Sequence, residues 1–118
     1  MLNLDTHVLV HALAGELRPA EERLLVREPW SISAIVLWEI EKLRQLGRLT
    51  IDAERLERAV HSVHVWPIDL AVARASTRLD FRSDPADELI AATSMVHGAA
   101  LVTRDRKMLR SKLVPLAR

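Results

Sequence analysis

Asp5, Glu39, Asp87 and Asp105 are the residues of this chain whose type and setting could do chemistry. Asp87 falls in the first turn of a helix that Asp84 can cap, that Pro85 suits as first residue and that Gly98 stops. Asp105 follows the apolar pair Leu101-Val102, and Asp5 ends the short strand-like stretch Leu2-Asn3-Leu4. Both therefore stand just past the carboxyl end of a strand, where α/β proteins bind ligands. Glu39 lies among the apolar residues of a long helix, a costly place for a charge unless it is paired or bound to a cation. Carboxylates brought to one rim by separate elements repel each other, and a hard divalent cation with oxygen ligands relieves that repulsion.

The elements that must position these acids alternate along the chain. Leu2–Leu4 reads as a short buried strand, and Val8, Leu9 and Ala12 mark a helix from Thr6 to Ala14 that stops at Gly15. A second helix is expected from Pro19 or Ala20 to Arg27. Trp30–Ser33 reads as a strand. Ser33 then caps the longest helix, which carries Ile35, Val36, Ile40, Leu43 and Leu46 on one stripe and stops at Gly47. A helix over Ala53–His61 follows, then a strand over His64–Ile68 whose Pro67 points to an edge. Asp69 caps a helix ending near Leu79 to Phe81, and Leu113-Val114 is a candidate last edge strand. Strands alternating with helices predict a parallel sheet covered on both faces.

Composition narrows the chemistry. With 118 residues, 49% of them hydrophobic, residues 1–118 read as a single domain able to build one core. There is no cysteine, which excludes disulfides, thiolate zinc sites and cysteine nucleophiles and suits a reducing, cytoplasmic setting. No apolar run approaches the roughly 18 residues of a membrane span, and no basic leader precedes Leu4, so a soluble, unprocessed chain is expected. The net charge of +1 decides little, but Arg104, Arg106, Lys107, Arg110, Lys112 and Arg118 crowd the last stretch. That cluster can meet phosphates, or be an ordinary solvated face. The only aromatic residues are three Trp and one Phe, too few for an extended base-stacking platform.

Taken together, Leu4-Asp5-Thr6-His7, Ser33 through Leu37-Trp38-Glu39-Ile40, Leu46-Gly47-Arg48-Leu49, Asp84-Pro85-Ala86-Asp87 and Leu101-Val102-Thr103-Arg104-Asp105 resemble the PIN-domain ribonucleases. The likeness is strongest to the VapC-type toxins of bacterial and archaeal toxin–antitoxin pairs. Each motif alone is weak, whereas their order and separation span nearly the whole chain. The resemblance implies a PIN-like three-layer α/β sandwich, with a short, mostly parallel sheet flanked by helices. It also implies an endoribonuclease site that uses Mg²⁺ or Mn²⁺, inhibition by a cognate antitoxin protein, and a homodimer. Asp5, Glu39, Asp87 and Asp105 align with the family's acidic quartet, as catalytic residues and metal ligands. Asp84 matches an additional acid, Thr103 matches a hydroxyl residue near the last acid, and Thr6 is a further supporting candidate. Glu88 departs from the family, which usually carries arginine there, and adds negative charge beside the site. The implied substrate is RNA, single-stranded or looped, with tRNA or another structured RNA as candidates.

Plainer roles exist for the same residues. Asp84 and Asp87 suit a capping-box-like helix start, Asp5 an ordinary cap, Asp105 a turn and Glu39 a surface position. His7 and His11 have the i, i+4 spacing of a two-histidine metal face, but lack the intervening glutamate and a third ligand. His61, His64 and His97 read as structural, and Trp30, Trp38 and Trp66 as core. Two rival functions stay open at this level. One is a catalytically weak or inactive module whose main role is binding a partner protein. The other is phosphoryl transfer with Asp5 as nucleophile, which Asp5-Thr6-His7 supports poorly because it lacks a second aspartate one residue on.

Overall fold

The computed structural model describes residues 1–118. In chain order the elements are β1 (Leu2–Leu4), α1 (Thr6–Ala14), α2 (Pro19–Leu25), β2 (Trp30–Ser33), α3 (Ala34–Gln45), α4 (Ala53–His61), β3 (His64–Trp66), α5 (Leu70–Ser76), α6 (Pro85–His97), β4 (Ala100–Val102) and α7 (Arg106–Leu109). The four strands form one sheet in the order β3-β2-β1-β4, and every pairing is parallel. The central strand β1 pairs Leu2 with Trp30 on one side and Leu2, Asn3 and Leu4 with Ala100, Leu101 and Val102 on the other. Being covered on both faces, β1 is buried along its whole length, polar Asn3 included.

The chain steps outward from β1 to β3 and then returns across the sheet to β4. Right-handed crossovers place the helices of the outward and return journeys on opposite faces, giving three layers. The reversal puts the switch point between β1 and β4, so a crevice opens beyond Leu4 and Val102. The core runs through Leu2, Leu4, Val8, Leu9, Ile32, Val36, Ile40, Ile90, Leu101 and Met108. Asn3 is fully buried in it, and its amide donates to Ile90 O (3.1 Å) and Ser94 Oγ (2.9 Å), tying β1 to α6. No helix is long and apolar enough to cross a membrane.

Local signals account for most boundaries. Ser33 accepts from Ile35 N and Asp69 accepts from Val72 N, so both cap as expected. Gly98, at φ +65°, ends α6 in the left-handed region that a side chain disfavours. Other expectations change. β3 stops at Trp66, leaving Pro67 outside, because proline has no N–H for the ladder; its edge position is as expected. α2 ends at Leu25 and α5 at Ser76, both short of the expected ends. Leu113-Val114 forms no strand. Instead Leu101 N donates to Pro115 O (2.8 Å) and Ala117 N to Leu101 O (2.9 Å), a single parallel bridge at Leu116. α7 arises where only a turn was expected, and Asp105 is its cap.

The tryptophans separate in role. Trp30 packs on the core and donates its indole N–H to Leu25 O (2.8 Å). Trp66 stacks on His97, with ring centroids 3.9 Å apart. Trp38 is not core: it is 55% exposed, with the Lys42 ammonium 5.9 Å from its ring. Helical periodicity turns it to the solvent side of α3, away from Val36 and Ile40.

Candidate active site

Each acid singled out above is delivered by a different element. Asp5 follows β1, Glu39 lies in the middle of α3, Asp87 sits in the first turn of α6, and Asp105 links β4 to α7. Asp5, Glu39 and Asp105 all come within electrostatic reach of Asp87, and Asp105 of Asp5. Asp87 is raised to about 6, first by burial and then by the negative charges of Asp5, Glu39 and Asp105. Asp5 is also raised, again mainly by burial, with Asp105 adding repulsion and Thr103 and His7 opposing it.

The carboxylates are held in a common manner, with one oxygen fixed and the other left over. Thr103 Oγ1 donates to Asp5 Oδ2 (2.7 Å), Thr6 Oγ1 to Glu39 Oε1 (2.5 Å) and Ser83 Oγ to Asp87 Oδ2 (2.9 Å). Asp105 uses Oδ1 to cap α7, accepting from Lys107 N (2.8 Å) and Met108 N (3.1 Å). Thr103 serves two acids, since its hydroxyl oxygen also accepts from Asp105 N (3.0 Å). The second oxygen of Asp5, Oδ1, is buried and has no hydrogen-bond partner. A buried carboxylate oxygen without a donor is expensive, and a cation is a natural partner for it. Carboxylate oxygens are hard donors of the kind Mg²⁺ or Mn²⁺ takes. As the side chains stand, no three acidic or histidine groups are close enough together to hold one ion directly. Ligation through intervening water, which Mg²⁺ keeps readily, fits that wider spacing.

Among the supporting residues named from the sequence, Thr6 and Thr103 touch the acids and Asp84 does not. Asp84 occupies the N-cap position of α6, but its exposed side chain makes no capping bond, so the expected cap is absent. Asp5 makes none either, because Thr103 takes its carboxylate. Glu88 is turned to local use: its Oε2 accepts from Ser83 N (3.3 Å) at the positive end of α6. Of the two early histidines, His7 faces the charge of Asp5 and His11 faces Glu16 (3.4 Å), so they make no shared metal face.

Two features escaped sequence reasoning. Ser83 holds Asp87, a contact signalled only by its i, i+4 spacing. Arg104 leaves the basic cluster: its Nε and Nη2 fork onto Glu21, and Nη2 also donates to Glu16 O (3.3 Å). Glu21 Oε1 in turn accepts from Arg18 N at the start of α2 (2.7 Å). This network anchors the loop carrying Thr103 and Asp105 to α2. No local pattern links residues so far apart in the chain.

Comparison with known proteins gives a consistent picture. Residues 3–112 match the family model described as PIN domain. The chain is 29% identical over 114 residues to Ribonuclease VapC22 of Mycobacterium tuberculosis, covering 89% of this chain and 87% of that protein. In structure it is similar to a toxin–antitoxin complex from Klebsiella pneumoniae, with TM-score 0.73, 22% identity and 93% and 91% of the two chains covered. It is similar also to VapBC2 from Rickettsia felis bound to a promoter DNA fragment, with TM-score 0.75, 19% identity and 98% and 97% covered. FitAcB from Neisseria gonorrhoeae matches with TM-score 0.70, 21% identity and 100% and 97% covered. Identities this low speak for the fold, and the family rests on the sequence model that spans nearly all of the chain. By that match this chain belongs to the PIN domain family.

Proposed function

We propose that this protein is a metal-dependent endoribonuclease of VapC type, the toxin of a toxin–antitoxin pair, hydrolysing RNA phosphodiester bonds with Mg²⁺ or Mn²⁺. The observation that carries the reading is the buried, unpartnered Oδ1 of Asp5, within electrostatic reach of the carboxylates of Asp87 and Asp105. Likeness to a protein named as a ribonuclease and to toxin–antitoxin complexes supports the activity and the antitoxin partner.

Asp5 and Asp87 are the principal ligands in this reading, and Glu39 and Asp105 complete the set or orient the attacking water. When bound, the cation offsets the repulsion among the acids, holds the scissile phosphate and makes water more acidic. The hydroxyls of Thr103, Thr6 and Ser83 fix one oxygen of each partner acid, so little reorganisation remains when the phosphate arrives. The phosphate itself is excluded from the metal-free site by the same negative charges. The protein works as a homodimer in the cytoplasm and is silenced when its antitoxin binds.

Purified, antitoxin-free protein cuts a structured RNA such as tRNA in Mg²⁺ or Mn²⁺, stops in EDTA, and loses cutting in Asp5→Asn and Asp87→Asn. Cutting that persists undiminished in EDTA overturns the metal role. Tight partner binding with no cleavage of any RNA favours the inactive-module alternative.

A further inference from the structure

A small hollow of about 250 Å³ is lined by Asp80, Phe81, Lys107, Arg110 and Ser111, and one of these, Lys107, donates its backbone N–H to Asp105 Oδ1 (2.8 Å). Its walls are the two segments that flank the site. Phe81 comes two residues before Ser83, which holds Asp87, and Lys107 comes two residues after Asp105. The walls are bolted together by Asp80, which accepts from Ser111 Oγ (2.6 Å) and Lys112 N (2.8 Å). Lys107 and Arg110 are exposed, and all the ion pairs of the molecule lie elsewhere. Phe81, the single phenylalanine, is half-buried and packs on the core behind the hollow. Two cations outside any ion pair, an aromatic ring and a carboxylate thus share one concavity, one wall of which is the helix that Asp105 caps.

We infer that this hollow is a subsite for one nucleotide of single-stranded RNA adjoining the scissile bond, a reading that rests on the nuclease function proposed above. Lys107 and Arg110 take the nucleotide's phosphate, whose charge the acid cluster repels and these two cations attract. The base lies against the Phe81 ring, a contact every base can make. Asp80 keeps lone pairs beyond its two protein bonds and accepts an N–H from the base edge, while its charge keeps the phosphate on the Lys107 and Arg110 side. One phenylalanine provides one stacking position, so a single nucleotide is gripped and the rest of the strand is held by charge. Arg104, committed to Glu21, takes no part.

The test measures binding of a fluorescein-labelled, eight-nucleotide single-stranded RNA by anisotropy, in the full chain carrying Asp87→Asn so that the RNA survives. The double variant Lys107→Gln/Arg110→Gln weakens binding about 10-fold, and its plot of log K against log salt is shallower by about 0.7, the value for one neutralised phosphate of a single strand. Phe81→Leu weakens binding about 10-fold with an unchanged salt slope. Arg58→Gln on α4, which packs at the opposite, β3 edge of the sheet, changes nothing. If Phe81→Leu fails to fold, the exposed pair Lys107 and Arg110 still decides. Equal affinity and equal salt slope in the double variant overturn the subsite, as does RNA binding undetectable in the Asp87→Asn parent. A parallel cleavage assay on the protein without Asp87→Asn separates the two readings. Binding that depends on Lys107 and Arg110 without any cleavage sustains the subsite and sinks the nuclease. Cleavage that ignores both residues sustains the nuclease and sinks the subsite.

Discussion

Arg104 forks onto Glu21, with Nε to Oε2 and Nη2 to Oε1 both at 2.7 Å, across 83 residues of sequence. The pair is mostly shielded from water, and the guanidinium, with burial opposing, holds the Glu21 carboxyl down at about 2. Because Arg104 stands between Thr103 and Asp105, this contact fixes the loop that serves two of the acids. Glu21→Gln should cost about 1–2 kcal/mol at neutral pH, between the values for exposed and buried pairs. A depressed carboxylate stabilises the fold above its unfolded value and loses that effect as pH falls toward its folded value. The stability gap between the native chain and Glu21→Gln should therefore close between about pH 4.5 and 2, as read by denaturant unfolding across that range.

Asp87 has the opposite sign. Burial and its acidic neighbours raise it from 3.8 to about 6, so the metal-free fold loses stability as pH rises through that window. Asp87→Asn should stabilise the metal-free protein above pH 6 by about 1–2 kcal/mol, a figure reduced for the group's partial exposure, and should match it below pH 4. Thermal unfolding in EDTA checks this. Adding Mn²⁺ should raise Tm of the native chain clearly more than that of Asp87→Asn.

Thr103 holds Asp5 with its hydroxyl hydrogen and Asp105 N with its oxygen. Thr103→Val keeps the shape and removes both bonds, leaving a second oxygen of Asp5 without a donor. Expected are a loss of about 1–3 kcal/mol and a drop in RNA cleavage larger than the stability change explains. Thr103→Ser, which restores the hydroxyl, should recover most of both. Cleavage assays and Tm on the two variants decide it.

Gly98 closes α6 at φ +65°, with nothing within 4 Å of where a Cβ would sit. The cost of Gly98→Ala is therefore backbone conformation alone, about 1 kcal/mol, since no neighbour has to move. Tm should fall by a few degrees while RNA cleavage at 25 °C stays the same, because Gly98 lies at the far end of α6 from Asp87.

Much of the framework was legible from local rules. Strand-like stretches ending in Asp5 and Asp105, the Asp84-Pro85 start of α6 and its Gly98 stop all mark boundaries that neighbouring residues enforce. Those rules also placed each acid on its element, because strand ends and first turns have sequence signatures. They could not say which hydroxyl meets which carboxylate. Thr103 reaches Asp5 only because β4 pairs with β1, a consequence of strand order and not of any residue near either one. The same holds for Arg104, which reads as one of a basic cluster, phosphate-binding or merely solvated, until α2 packs beside it. Trp38 reads as core until α3 is oriented, and Leu116 takes the edge contact expected of Leu113-Val114, whose own N–H groups both donate to Ser111 Oγ. Sequence alone determined what each segment is and which groups it carries. Tertiary structure decided their partners, because desolvation and repulsion depend on where distant segments meet.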